Sequence, residues 1–118
     1  MSDLAKDILS DLAETIAVIQ ERTKDLKTAD DFLSDDAAIM LYDSVVMRLQ
    51  VAGELVKKLI KLAPDVPVRF PKTDWSSIIK MRDKISHHYL DLDSEIIFDI
   101  CQRHLPSLEA AVARMLDE

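Results

Sequence analysis

Residues 41–62 read LYDSVVMRLQVAGELVKKLIKL, and their apolar positions decide the fold class. With the preceding turn, Ile39, Tyr42, Val46, Leu49, Val56 and Leu59 recur at helical spacing and form one stripe. Met40, Val45, Val51, Ala52, Leu55 and Ile60 widen that stripe well beyond a narrow seam. A helix this broadly apolar needs more than one neighbour. Either it is central and surrounded, or part of it is a surface for self-association, and the pattern leaves both open. Gly53 lies inside the helix, where it costs about 1 kcal/mol relative to alanine. Close approach of a second helix is sufficient reason to keep it.

The rest of the chain follows the same period. Leu4, Ile8, Leu12, Ile16 and Ile19, with Ser2 placed to cap, predict a first helix from Asp3 to Lys27. The polar stretch TADDFLSDD reads as a connection, and Ser34 or Asp35 can cap the long second helix, which runs to Ala63. Pro64, Pro67 and Pro71 predict an extended loop. Thr73 or Asp74 then caps a third helix that starts at Trp75 and turns Ile78, Ile79 and Ile85 inward. After a break near LDLD, Asp93 or Ser94 caps a fourth helix, EIIFDICQRHL, and Pro106 suits the first turn of a short last one. One glycine, four prolines and no hairpin turn signal give strands little support. The expected architecture is an all-α, up-and-down bundle of four to five helices, with residues 1–118 as one domain.

Charge limits the partners. The net charge of −7 disfavours anionic lipid and nucleic acid on average. Between Lys57 and Lys84, however, eight basic residues face three acidic ones, a local balance of +5 that leaves −12 elsewhere. The lone Cys101 can form no internal disulfide and offers no zinc pattern, so it is expected to pack, in a reducing compartment. No apolar run approaches the ~18 residues of a membrane span, and the N-terminus shows no secretory pattern. A soluble, cytoplasmic protein without membrane partners is the expectation.

The basic segment runs into RDKISHHY, residues 82–89. On an ideal helix Arg82 and Tyr89, seven apart, share a face, while His87 lies well round the cylinder. The three converge only if the helix ends or distorts there, or if a second chain completes the site. A polar helix end is the plain alternative, with His87 or His88 on the last carbonyls and Tyr89 at the core's edge. Adjacent histidines make a poor metal pair, and there is no nucleophile elbow or phosphate-cradling glycine loop.

The string Arg82-Asp83-Lys84-Ile85-Ser86-His87-His88-Tyr89 resembles the R-x4-H-x-Y motif of the HEPN superfamily. It looks most like the HepT-like toxins that pair with a minimal nucleotidyltransferase antitoxin. RLQVAGELVKKL (48–59) is similar to that family's Arg-x-x-x-x-Gly-Glu block, DWSSIIKMRDKISHHY (74–89) to its motif helix, and FDICQRHLPSLEAAV (98–112) to its closing helix. The loop APDVPVRFPKTDW is longer than the short Pro-x-Pro-Trp connection of many relatives.

The resemblance implies a homodimer whose two motifs line one cleft, acting as an endoribonuclease that uses no metal or cofactor. Arg82 and His87 match the catalytic positions, Asp83 the supporting polar position, and Tyr89 the tyrosine to which the antitoxin transfers AMP. The residue types suit that chemistry: imidazole carries protons near neutrality, and guanidinium forks onto phosphate. A catalytically silent helical dimer serving as scaffold for a nucleotidyltransferase is the alternative.

Overall fold

The structure is a computed structural model that describes all 118 residues, and it is all-α. Helix α1 spans Asp3–Thr23, with the Ser2 hydroxyl accepting from the Ala5 amide. It ends four residues before the expected Lys27. There the Thr23 hydroxyl bonds back to the Ile19 carbonyl, and a separate 3₁₀ turn, Ala29–Leu33, follows. That turn corrects the reading of TADDFLSDD as a plain connection. The Asp31 carboxylate accepts from the Lys27 and Thr28 amides, fixing the turn so that Phe32 is fully buried. Phe32 packs edge-on against Tyr42 and Phe98, with centroids 5.0 and 6.3 Å away.

Helix α2, Asp36–Leu62, is capped by the Asp35 carboxylate on the Ala38 amide. It lies between α1 and helix α4, Trp75–His88. Val45, Val46, Leu49, Ala52, Val56 and Leu59 are buried in that sandwich. Met40, Met47, Val51 and Leu62 remain outside it, Met47 at 63% exposure. The broad apolar surface of α2 therefore has two covered flanks and one open one. Leu4, expected to face inward on α1, also sits exposed on the rim.

The proline-rich segment is tighter than the expected extended loop. It forms a one-turn helix α3, Val66–Arg69, with Pro67 in its first turn, where a missing amide hydrogen costs nothing. Val66 and Phe70 are buried, and the Phe70 carbonyl accepts from the Trp75 indole at 2.9 Å. This anchors the start of α4, whose cap is Asp74 on the Ser77 amide.

The end of the chain differs from the two separate helices expected. Helix α5, Ser94–Asp99, capped by Asp93, continues through a π-turn, Ile100–His104, directly into helix α6, Leu105–Leu116. In a regular helix the Pro106 ring would collide with the Gln102 carbonyl. The wider π-turn relieves that conflict, so the proline sits in a continuous helix instead of starting a new one. Segment α5 packs on the 3₁₀ turn and α6 on α1, closing a single cluster of 27 buried residues.

Candidate functional site

Helices α2 and α4 run antiparallel, and three side-chain contacts mark their register. Arg82 meets Glu54, Ser86 accepts from Gln50 at 3.0 Å, and the Tyr89 hydroxyl donates to Asp43 at 2.7 Å. The contact at Arg82 depends on Gly53. A β-carbon at position 53 would lie 2.3 Å from the Arg82 β-carbon, 3.0 Å from its γ-carbon and 3.3 Å from the Ile78 carbonyl. The absent side chain is the space in which the Arg82 stem lies, so close helix approach is the reason for the glycine.

This packing fixes the guanidinium. One Nη is 2.8 Å from Glu54 and the other 2.9 Å from Asp83, and the Arg82 side chain is only 25% exposed. The Asp83 hydrogen bond, followed by the Glu54 charge, raises the guanidinium pKa and keeps it cationic. Its Nε is buried without a hydrogen-bond partner. A planar cation held at both ends has little rotational freedom left, and it borders an open groove lined by Met47, Gln50, Val51, Glu54 and Lys58. Its remaining N–H groups can meet a phosphate there without a search through rotamers.

The motif residues do not converge within one chain. Helix α4 stays regular to His88, so exposed His87 is turned about 140° from Arg82. Tyr89 departs from the expectation that it stands above Arg82. The helix stops before it, and Tyr89 begins a 3₁₀ turn, Tyr89–Asp91, that carries its ring across to α2. Asp43 and Glu54 are eleven residues apart on α2, so the Tyr89 hydroxyl and the Arg82 guanidinium are anchored about 16 Å apart along its axis. The hydrogen bond to Asp43 raises the Tyr89 pKa, because ionisation would set two negative oxygens face to face. Beside it, the Tyr42 hydroxyl is buried and unpaired, and desolvation raises its pKa.

Two partners of the motif went unassigned in the sequence: Glu54, which holds Arg82, and Asp43, which holds Tyr89. Glu54 lies in the quoted Gly-Glu block, so its signal was present. Asp43 carried none. Cys101 is buried as expected, and desolvation pushes its thiol up to about 12.

The family profile described as "Ribonuclease HepT-like" matches residues 12–115, which include both helices of the site. The chain belongs to the HepT-like ribonuclease family. Among curated relatives of this HepT-like chain, a protein of Thermococcus cleftensis named provisionally as ribonuclease HepT is 29% identical over 114 residues, covering 93% of this chain and 94% of the relative. A provisionally named RNase of Methanocaldococcus jannaschii is 34% identical over 99 residues, 84% of this chain and 76% of the relative. A second protein of that organism, named as a gamma-glutamylcyclotransferase and provisionally an RNase, is 27% identical over 118 residues. The chain spans half of that relative's length. No solved structure matches the HepT-like chain. No helix in it is long and apolar enough to cross a membrane.

Proposed function

We propose that this chain is a metal-independent endoribonuclease toxin that works as a homodimer and is neutralised when a nucleotidyltransferase antitoxin transfers AMP to Tyr89. The observation that carries the reading is the preset Arg82 guanidinium, fixed by Gly53, Glu54 and Asp83 at an open groove in a member of a ribonuclease family. The open flank of α2 supports the dimer, since Met47 and Val51 are exposed apolar residues on the same groove as Arg82. A partner seated there brings its own α4 end toward Arg82 and supplies the histidine that the first chain turns away.

In that composite centre the RNA 2′-hydroxyl gives its proton to one His87 as its oxygen forms the new bond to phosphorus. The bond from phosphorus to the 5′-oxygen breaks, and that oxygen takes a proton from the second His87. Arg82 of each chain balances the extra charge on the phosphorane, and Asp83 holds the guanidinium plane. AMP on Tyr89 adds a phosphodiester and an adenosine at the cleft, displacing substrate phosphate.

One observation favours the scaffold alternative: within one chain Arg82 is already paired with two carboxylates, and His87 and Tyr89 point elsewhere. Cleavage of RNA by the purified, unmodified protein decides between the two. Arg82→Ala and His87→Ala are each expected to lower the rate about 10²–10⁴-fold with melting nearly unchanged. His88→Ala is expected to be much milder. An essential His88 with a dispensable His87 would refute the site assignment, and wild-type protein inert on RNA would favour the scaffold.

A further inference from the structure

The face of α4 that points away from α2 carries a feature the proposed centre does not use. Ser77, Lys80, Lys84 and His87 fall at successive steps of three, four and three, which places them on one stripe of the helix. His87, turned away from Arg82, therefore stands at the end of a row of lysines, about 10 Å along the axis from Lys80.

Ser77, Lys80 and Lys84 form one wall of a groove of about 230 Å³, whose opposite wall is α5 and the π-turn, and His87 lies one turn beyond it. Met81 and Ile100 give the groove a buried apolar floor, Ile96 an exposed apolar edge, and His104 closes its far side. Two carboxylates lie close, Asp99 in the groove lining itself and Asp74 at the start of α4, and each has contacts other than the lysines. Asp74 caps α4 and accepts from the Ser77 hydroxyl at 2.6 Å, while Asp99 faces Arg103 at 3.4 Å and His104 at 3.6 Å. Neither Lys80 nor Lys84 takes part in any of the six ion pairs of the chain. Two unpaired ammonium groups one helical turn apart, over an apolar floor, outnumber the single carboxylate of the lining and make the groove locally cationic in a protein of net charge −7.

We infer that this groove is a binding track for single-stranded RNA, in which Lys80 and Lys84 hold consecutive backbone phosphates and a base rests on the apolar floor, leading the strand to His87. The inference rests on the ribonuclease reading and extends it. It assigns the substrate's path outside the cleft to α4, α5 and the π-turn, where phosphate contacts position the strand without reading its sequence. Lysine suits that role, since a mobile point charge follows a backbone whose bases vary.

The test is fluorescence polarisation with a short, labelled, fully 2′-O-methylated oligoribonucleotide, which lacks the attacking hydroxyl and stays intact. Binding is followed from about 50 to 200 mM salt for wild type, for Lys80→Ala/Lys84→Ala, and for a control, Lys6→Ala/Lys27→Ala. The control removes the same charge from α1 and the loop after it. Each phosphate neutralised on a single strand contributes about 0.7 to the slope of log affinity against log salt. The groove variant is therefore expected to lose roughly 1.4 from that slope and bind more weakly at every salt concentration, and the control to change much less. An unchanged slope in the groove variant, or an equal loss in the control, overturns the track. If wild type cleaves RNA but the groove variant binds like wild type, the track alone fails. If wild type neither cleaves nor binds RNA, the ribonuclease reading fails with it.

Discussion

Gly53→Ala separates the stability of the bundle from the placement of its arginine. The added β-carbon would lie 2.3 Å from the Arg82 β-carbon. Ordinary carbon contacts are 3.5–4.0 Å, so the two helices must separate locally by about 1.2–1.7 Å. The atom it meets is fixed to the α4 backbone, so no rotamer change relieves the overlap. Overpacking of this kind costs about 1–3 kcal/mol, and replacing a mid-helix glycine by alanine returns about 1 kcal/mol. The net destabilisation is about 0–2 kcal/mol, small enough for the protein to remain folded. A reacting geometry misplaced by about 1 Å, in contrast, can cost about 10²-fold in rate. Urea unfolding and single-turnover RNA cleavage on the same preparation are expected to show a modest midpoint shift beside that loss of rate. Cleavage at the wild-type rate would refute the argument that the approach of α4 to Gly53 presets Arg82. So would a loss of rate no larger than the fraction unfolded.

Sedimentation of the purified chain is expected at twice the monomer mass, and Met47→Glu, on the open flank of α2, is expected to give monomers; a monomeric wild type at micromolar concentration removes the composite centre. Tyr89→Phe removes the 2.7 Å bond to Asp43 at an exposed site, which costs about 1 kcal/mol or less, and is expected to escape neutralisation. Mass spectrometry of wild type co-produced with the proposed nucleotidyltransferase antitoxin should find added AMP on the Tyr89 peptide, and an unmodified tyrosine in a neutralised complex counts against the modification. Asp74→Ala is expected to lower stability by about 1 kcal/mol at neutral pH through loss of the α4 cap. Hydrogen bonds from Ser77 depress the folded Asp74 pKa below 3.8, so its contribution is full above that value and is lost as pH falls through the folded value. The melting difference between the two proteins should vanish in acid, and a difference that persists there would assign the effect to something other than the carboxylate.

What the sequence made legible was local. The caps at Asp35, Asp74 and Asp93 and the stripe of α2 are decided by neighbouring residues, and they stand where the periodicity puts them. Phe32 was hidden because a single aromatic among aspartates carries no period, and only the Asp31 turn buries it. Pro106 read as a helix start because proline usually is one, and the π-turn that accommodates it leaves no compositional trace. At the candidate site, the motif string named the residues but not their partners. Arg82 on Gly53 is a contact between residues 29 positions apart, and the displacement of Tyr89 follows from a helix that ends one residue sooner than its pattern suggests.

The π-turn also sets a rule for the length of the chain. Within Ser94–Asp99, deleting one residue would rotate everything downstream by about 100° and swing Leu108, Val112 and Met115 out of the core. Within Ile100–His104 the loop of backbone already holds one residue more than an α-turn, so a deletion there can restore regular bonding while both flanking faces keep their neighbours. The regular helix so formed would have no room for the ring of Pro106. Shortening this segment is therefore tolerated only when that proline is replaced as well.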